Sequence, residues 1–142
     1  MEQKSLIVKD QIQINASKDK VWEVVTNPEF IKQWDDIPEN YSGGPLKLNS
    51  ILEWERHSKL TVTEFEKNHT LKMKLYLPKV DLDISKYDVN YSYVLTGNDN
   101  TTILNFEIGD FLPLPDSQNY FDTSLEWIKA AKQKIKELSE KE

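Results

Sequence analysis

Residues 116–138 constrain this chain more than any other stretch. They read as one long amphipathic helix opened at Asp116, with Tyr120, Ser124, Trp127, Ile128, Ala131, Ile135 and Leu138 recurring on one face. Lys129, Lys132, Lys134 and Lys136 fall elsewhere around the helix and late in its course, where cations complement its dipole. The tail, residues 139–142, is expected to fray. An apolar helix face must be buried, and no other segment is as long. The remaining residues must therefore build a surface for this helix to cover.

They have the pattern of an antiparallel sheet. Residues 5–14 alternate, with Leu6, Val8, Ile12 and Ile14 on one face and Asp10 breaking the inner set. Ser17 caps a short helix whose buried side is Val21, Trp22, Val24 and Val25, and Asp19 suits its N-terminus. Pro28 ends that helix, since the residue before a proline avoids helical angles. Residues 29–34 form a second short helix with Phe30, Ile31 and Trp34 inward. A loop with Pro38 and Gly43-Gly44-Pro45 fills residues 35–47, long enough to suggest function or motion. Strands then follow closely at 50–57, 59–65, 71–77, 88–96 and 101–108, with turn signals at 67–69 and 97–100. Residues 78–87 are either a hairpin extension or an irregular excursion. Residues 111–115 are expected to be extended because Pro113 and Pro115 forbid helix.

A curved sheet covered on one face by a single helix, with two short helices plugging an end, tends to leave space that side chains do not fill. That space is a natural site for an apolar ligand. The chain can furnish its walls, because 11% of its 142 residues are aromatic. On the predicted inner faces stand Trp34, Trp54, Met73, Tyr91, Tyr93 and Trp127. Each tyrosine hydroxyl needs a partner if buried and could bond a ligand oxygen; the alternative is ordinary aromatic core. Alternation carries Arg56 and Glu64 to the same face, so both count among the lining candidates. Charged side chains are rarely fully buried, so both are expected to reach water at strand ends. A paired Arg56–Glu64 that orients a ligand, or Glu64 acting as acid or base, is the alternative.

Other chemistries find little support. A formal net charge of −6 argues against a general nucleic-acid binder and against attraction to anionic membranes. No apolar run approaches a membrane span, so no membrane insertion is expected. Cysteine is absent, which removes disulfides and thiolate chemistry. His57 and His69 sit at turns without metal-site spacing, so no metal site is expected. There is no GxSxG elbow or phosphate-binding glycine loop, and neither a catalytic residue nor a cofactor is assigned. The N-terminus MEQKSLIVKD lacks the apolar core of a signal peptide, and a cytoplasmic location is expected.

One run of residues resembles a known family. A strand ends at Ile14, followed by Ala16 and Ser17, Val21-Trp22, Thr26-Asn27-Pro28-Glu29, then Phe30 and Trp34. Gly43-Gly44, Leu52-x-Trp54, Val62-x-Glu64-Phe65 running into Leu71, Thr101-Thr102 and Trp127 continue the match along nearly the whole chain. This is similar to the SRPBCC (START-like, helix-grip) superfamily, in the branch named after the activator of the ninety-kilodalton heat-shock chaperone's ATPase. The resemblance implies one α+β domain over residues 1–142. Its curved antiparallel sheet would wrap a long C-terminal helix, with two short helices after the first strand and a cavity between sheet and helix. Relatives bind lipids, sterols, polyketides or plant hormones, and a few catalyse cyclisation or dehydration. Binding of a small hydrophobic or amphipathic ligand is therefore expected first. A cyclase- or dehydratase-type enzyme and a chaperone-activating interaction protein are the alternatives. A monomer or weak homodimer is expected.

Overall fold

The computed structural model describes residues 5–35, 37–38, 41, 44–54, 58–78, 80, 82–98 and 100–141. The first strand, β1 (Val8–Ile14), is followed by helices α1 (Lys18–Thr26) and α2 (Pro28–Ile31). Five further strands follow: β2 (Ile51–Trp54), β3 (Ser58–Glu66), β4 (Thr70–Tyr76), β5 (Asn90–Gly97) and β6 (Thr102–Gly109). Helix α3 (Ser117–Glu140) ends the chain. The described strands form one antiparallel sheet in the order β1-β6-β5-β4-β3-β2. The meander from β2 to β6 thus pairs each strand with its neighbour in sequence, and β1 closes the far edge against β6.

Local chemistry sets the entry to the site. Ser17 Oγ accepts the Lys20 amide at 3.2 Å and starts α1. Asn27 then serves both helices. Its amide donates to Glu23 O at 2.8 Å, closing α1, and its side chain accepts the Glu29 amide at 3.0 Å, opening α2. Pro28, in the first turn of α2, gives up an amide that would have no partner there. The predicted second helix stops at Ile31, and the turn beyond it carries Trp34 inward with its amide on Ile31 O at 3.0 Å.

Helix α3 packs along β1 and α1. Ile128, Ala131 and Ile135 are buried there among Val8, Ile14, Leu104 and Ile108 of the common core. Asp10, the break in the apolar face of β1, meets Lys132 of α3 at 2.7 Å, with each side chain about three-quarters buried (23% and 26% exposed). Ser139 and Glu140 do not fray as expected, Lys141 lies beyond the helix and exposed, and Glu142 lies outside the described residues. Ser139 is buried, and the Glu140 carboxylate accepts the Asn15 amide at 2.8 Å and a bond from Lys136. This tie pins the helix end to the exit of β1. Residues 111–115 also depart from expectation. They turn, with the Leu114 amide on Phe111 O at 3.0 Å, and both side chains are buried. The described residues between β4 and β5 form an excursion with a short 3-10 turn at Ile84–Lys86, fastened by the Leu77 amide donating to the Tyr87 hydroxyl at 2.9 Å.

Candidate functional site

The covering of the sheet by α3 is uneven. Its second half seats Ile128, Ala131 and Ile135 in the core, over the β1 side. Its first half presents Thr123 and Ser124 to the space above the sheet's other half, and these short side chains do not bridge it. The result is a cavity of about 410 Å³. Its floor is Leu52 and Trp54 of β2, Ser58 and Leu60 of β3, Met73 and Leu75 of β4, and Tyr91 and Tyr93 of β5. Val25 of α1, Ile31 of α2, and Trp34, Asp35 and Leu46 from the following loop form the wall toward the short helices. Thr123, Ser124 and Trp127 form the roof. The volume falls within the range of small-molecule pockets, and a mostly apolar lining with few polar groups is the usual composition of one.

Six sequence candidates, Trp34, Trp54, Met73, Tyr91, Tyr93 and Trp127, line this one space. Glu64 does not. The β3–β4 register shifts between Val62 and Glu64, so one extra residue reverses the alternation. Glu64 then faces water and Phe65 turns inward to meet the Trp22 ring at 5.2 Å. An acid or base role for Glu64 inside the cavity is thereby removed. Arg56 and His57 lie outside the described residues. His69 is exposed at the β3–β4 turn beside Glu66, 3.5 Å away. Sequence reading missed Asp35, which has no periodic segment around it to assign a face. It also missed Leu46, whose amide bonds Thr26 O at 2.8 Å and draws the loop back under α1.

The aromatic side chains are locked. Trp34 Nε1 donates to Val24 O at 2.9 Å, and Tyr93 packs edge-on against Phe106 at 5.4 Å. Tyr93 is 2% exposed. Burial raises the Tyr91 phenol from 10.0 to about 12, and the nearby Asp35 carboxylate adds to the shift. Burial, Asp35 and Tyr91 raise Tyr93 well above its usual value. Both phenols are hydrogen-bond donors at neutral pH.

A pH prediction follows from these shifts. Above pH 10 the unfolded chain loses tyrosine protons that the folded chain keeps, so folded-state stability falls as pH rises from there. Below pH 10 the contribution of these two groups is fully present. Tyrosinate absorbance should therefore rise in two stages, with Tyr91 and Tyr93 in the later one, coincident with unfolding by circular dichroism. Their replacement by phenylalanine should remove that late stage.

A second cleft, of about 360 Å³, lies beyond Trp34, Asp35 and Trp127, which border both spaces. Lys32, Gln33, Ala130, Ala131 and Lys134 complete it. The Trp34–Trp127 pair, with ring centroids 6.3 Å apart, is thus the partition between inner cavity and outer cleft.

Curved sheet and roofing helix define an α+β helix-grip fold. Solved structures share it. The chain is similar to the Aha1 dimer from Colwellia psychrerythraea (TM-score 0.68, 16% identity, covering 94% of this chain and 96% of that one). It is also similar to CalU16 from Micromonospora echinospora (TM-score 0.61, 16% identity, covering 94% and 83%). DynU16, from the dynemicin biosynthetic locus, matches with a TM-score of 0.66 and 16% identity over 93% of this chain, which spans 46% of DynU16's length. No protein-family model matches the chain, and no curated protein matches it. At such identities the likeness concerns the fold. Among the described residues no helix is long and apolar enough to cross a membrane, and no group of three or more metal-ligating side chains gathers.

Proposed function

We propose that this chain is a ligand-binding protein of the SRPBCC type that holds a small hydrophobic or amphipathic molecule between the sheet and α3. The observation that carries the reading is the cavity itself, about 410 Å³ walled by rings and aliphatic side chains from strands, short helices and α3. Burying apolar ligand surface there is favourable by about 25 cal/mol per Å² removed from water. Tyr91 and Tyr93 supply protonated hydroxyls to fix a polar end. Met73 on the floor can adapt to ligand shape. Trp54 and Trp127, both half-buried, complete the apolar walls.

The test is direct. Native mass spectrometry of freshly purified protein should reveal a co-purifying small molecule, or the protein stripped of it should bind the neutral dye Nile red at one site per chain. Binding should quench or shift tryptophan emission, because Trp34, Trp54 and Trp127 all line the space. Absence of both a bound mass and saturable dye binding would overturn the reading.

A further inference from the structure

We propose that Tyr91 and Tyr93 act together as hydrogen-bond donors to a ligand oxygen, and that the molecule held in the cavity is a neutral, flat carbonyl compound, an aryl or conjugated ketone. The inference deepens the ligand-binding reading above and rests on it.

Both side chains come from one strand. Tyr91 and Tyr93 are two residues apart on β5, which carries them to the same face of the sheet, and both line the cavity. The ladder on either side is regular. Tyr91 stands between Met73 of β4 and Ile108 of β6, and Tyr93 stands between Leu71 and Phe106. The rings are held in turn by edge-on contacts: Tyr93 with Phe106 at 5.4 Å and with Trp34 at 6.4 Å, and Tyr91 with Trp127 at 6.0 Å. Trp34 is itself tied to Val24 O. Donors held in place before a ligand arrives lose little freedom when it binds.

The chemistry of the floor asks for an acceptor. Desolvation keeps both phenols protonated well above neutral pH, so each has a proton to donate. Leu60, Met73 and Leu75 on the neighbouring strands are apolar and offer no side-chain oxygen. A ligand that brings an acceptor oxygen to this floor gains a bond that a pure hydrocarbon forgoes. A neutral carbonyl suits the place better than a charged oxygen, which would lose its hydration on entering a mostly apolar space. The rest of the lining selects the body of the molecule. Trp34, Trp54 and Trp127 present aromatic surface to a space of about 410 Å³, which favours a flat conjugated ring system.

Two probes matched in shape test this on the whole protein. One is the dye prodan, a neutral dimethylamino-naphthyl ketone whose emission moves to the red when its carbonyl accepts a hydrogen bond. The other is its propyl counterpart, in which the carbonyl is replaced by a methylene group. The double variant Tyr91→Phe, Tyr93→Phe should bind prodan about tenfold more weakly and bind the propyl compound within about twofold of the parent. Emission of the bound prodan should move to the blue in the variant. A loss shared equally by both probes, or prodan affinity and emission that ignore the substitutions, would overturn the donor pair. Should the double variant fail to fold, the infrared carbonyl stretch of prodan bound to the unaltered protein decides. It should lie at the lower frequency of a hydrogen-bonded ketone, and a stretch matching prodan in an alkane would overturn the pair. Nile red on the unaltered protein separates the two readings. If it binds but prodan is indifferent to the phenols, the donor pair fails and the cavity reading stands; if neither Nile red nor either probe binds, both fail.

Discussion

Ile135→Ala is expected to lower the stability of the fold by about 2–5 kcal/mol, read as a shift in the denaturant midpoint at unchanged slope. Ile135 is fully buried on the inner face of α3, in the half of the helix that seats against β1 and α1. Truncation removes the transfer free energy of its outer carbons and leaves a hole that close-packed neighbours fill only in part. A domain of this size has on the order of 5–15 kcal/mol in total, so one such loss is a large fraction of it. The effect should be greater than that of the same change at Leu138, which is only partly buried a turn further on. A midpoint shift at Ile135 no larger than that of a surface substitution, within about 0.5 kcal/mol, would mean that α3 is not the element holding the sheet closed.

The features that specify this architecture are short in range, which is why they can be read from residue order. Ser17, Asn27 and Pro28 act within a few residues of themselves, and the structure uses them as caps and as a helix start. The alternation of Leu71, Met73 and Leu75 and that of Tyr93 and Leu95 survive as buried positions because β4 and β5 are regular. The positions that escaped depend on partners far along the chain or on a break in regularity. Parity along β3 places Glu64 on the inner face, and parity fails wherever a bulge inserts a residue. The end of α3 is held by Glu140 on the Asn15 amide, a contact between residues 125 positions apart that no local signal announces. Asp10 looked like a defect in β1 until α3 brought Lys132 to it at 2.7 Å. Asp35 is the most consequential omission. It follows Trp34 in a turn, outside helix or strand, and only the assembled fold carries its carboxylate to the cavity wall.

Filling the cavity tests the functional reading with the least disturbance of the fold, and Ser124→Trp is the substitution of choice. Ser124 is half-buried on α3 and lines the roof, so a larger side chain there projects into about 410 Å³ of space rather than into packed core. An indole would fill part of that volume. It would also meet Leu60 and Met73 on the opposite floor, apolar surface against which it can pack. Stability should therefore hold or rise, changing by less than about 1.5 kcal/mol, in contrast to the 1–3 kcal/mol cost typical of overpacking a filled interior. Nile red binding should fall by about tenfold or more, and a co-purifying ligand should be lost. Trp127 and Trp34 emission should no longer respond to added dye. A stable, well-folded Ser124→Trp protein that binds as tightly as the parent would place the ligand elsewhere. A protein unfolded by the change would mean instead that this region is tightly packed. Either result would remove the physical ground of the carrier proposal, which is that Thr123 and Ser124 are too short to close the distance between α3 and the strands beneath them.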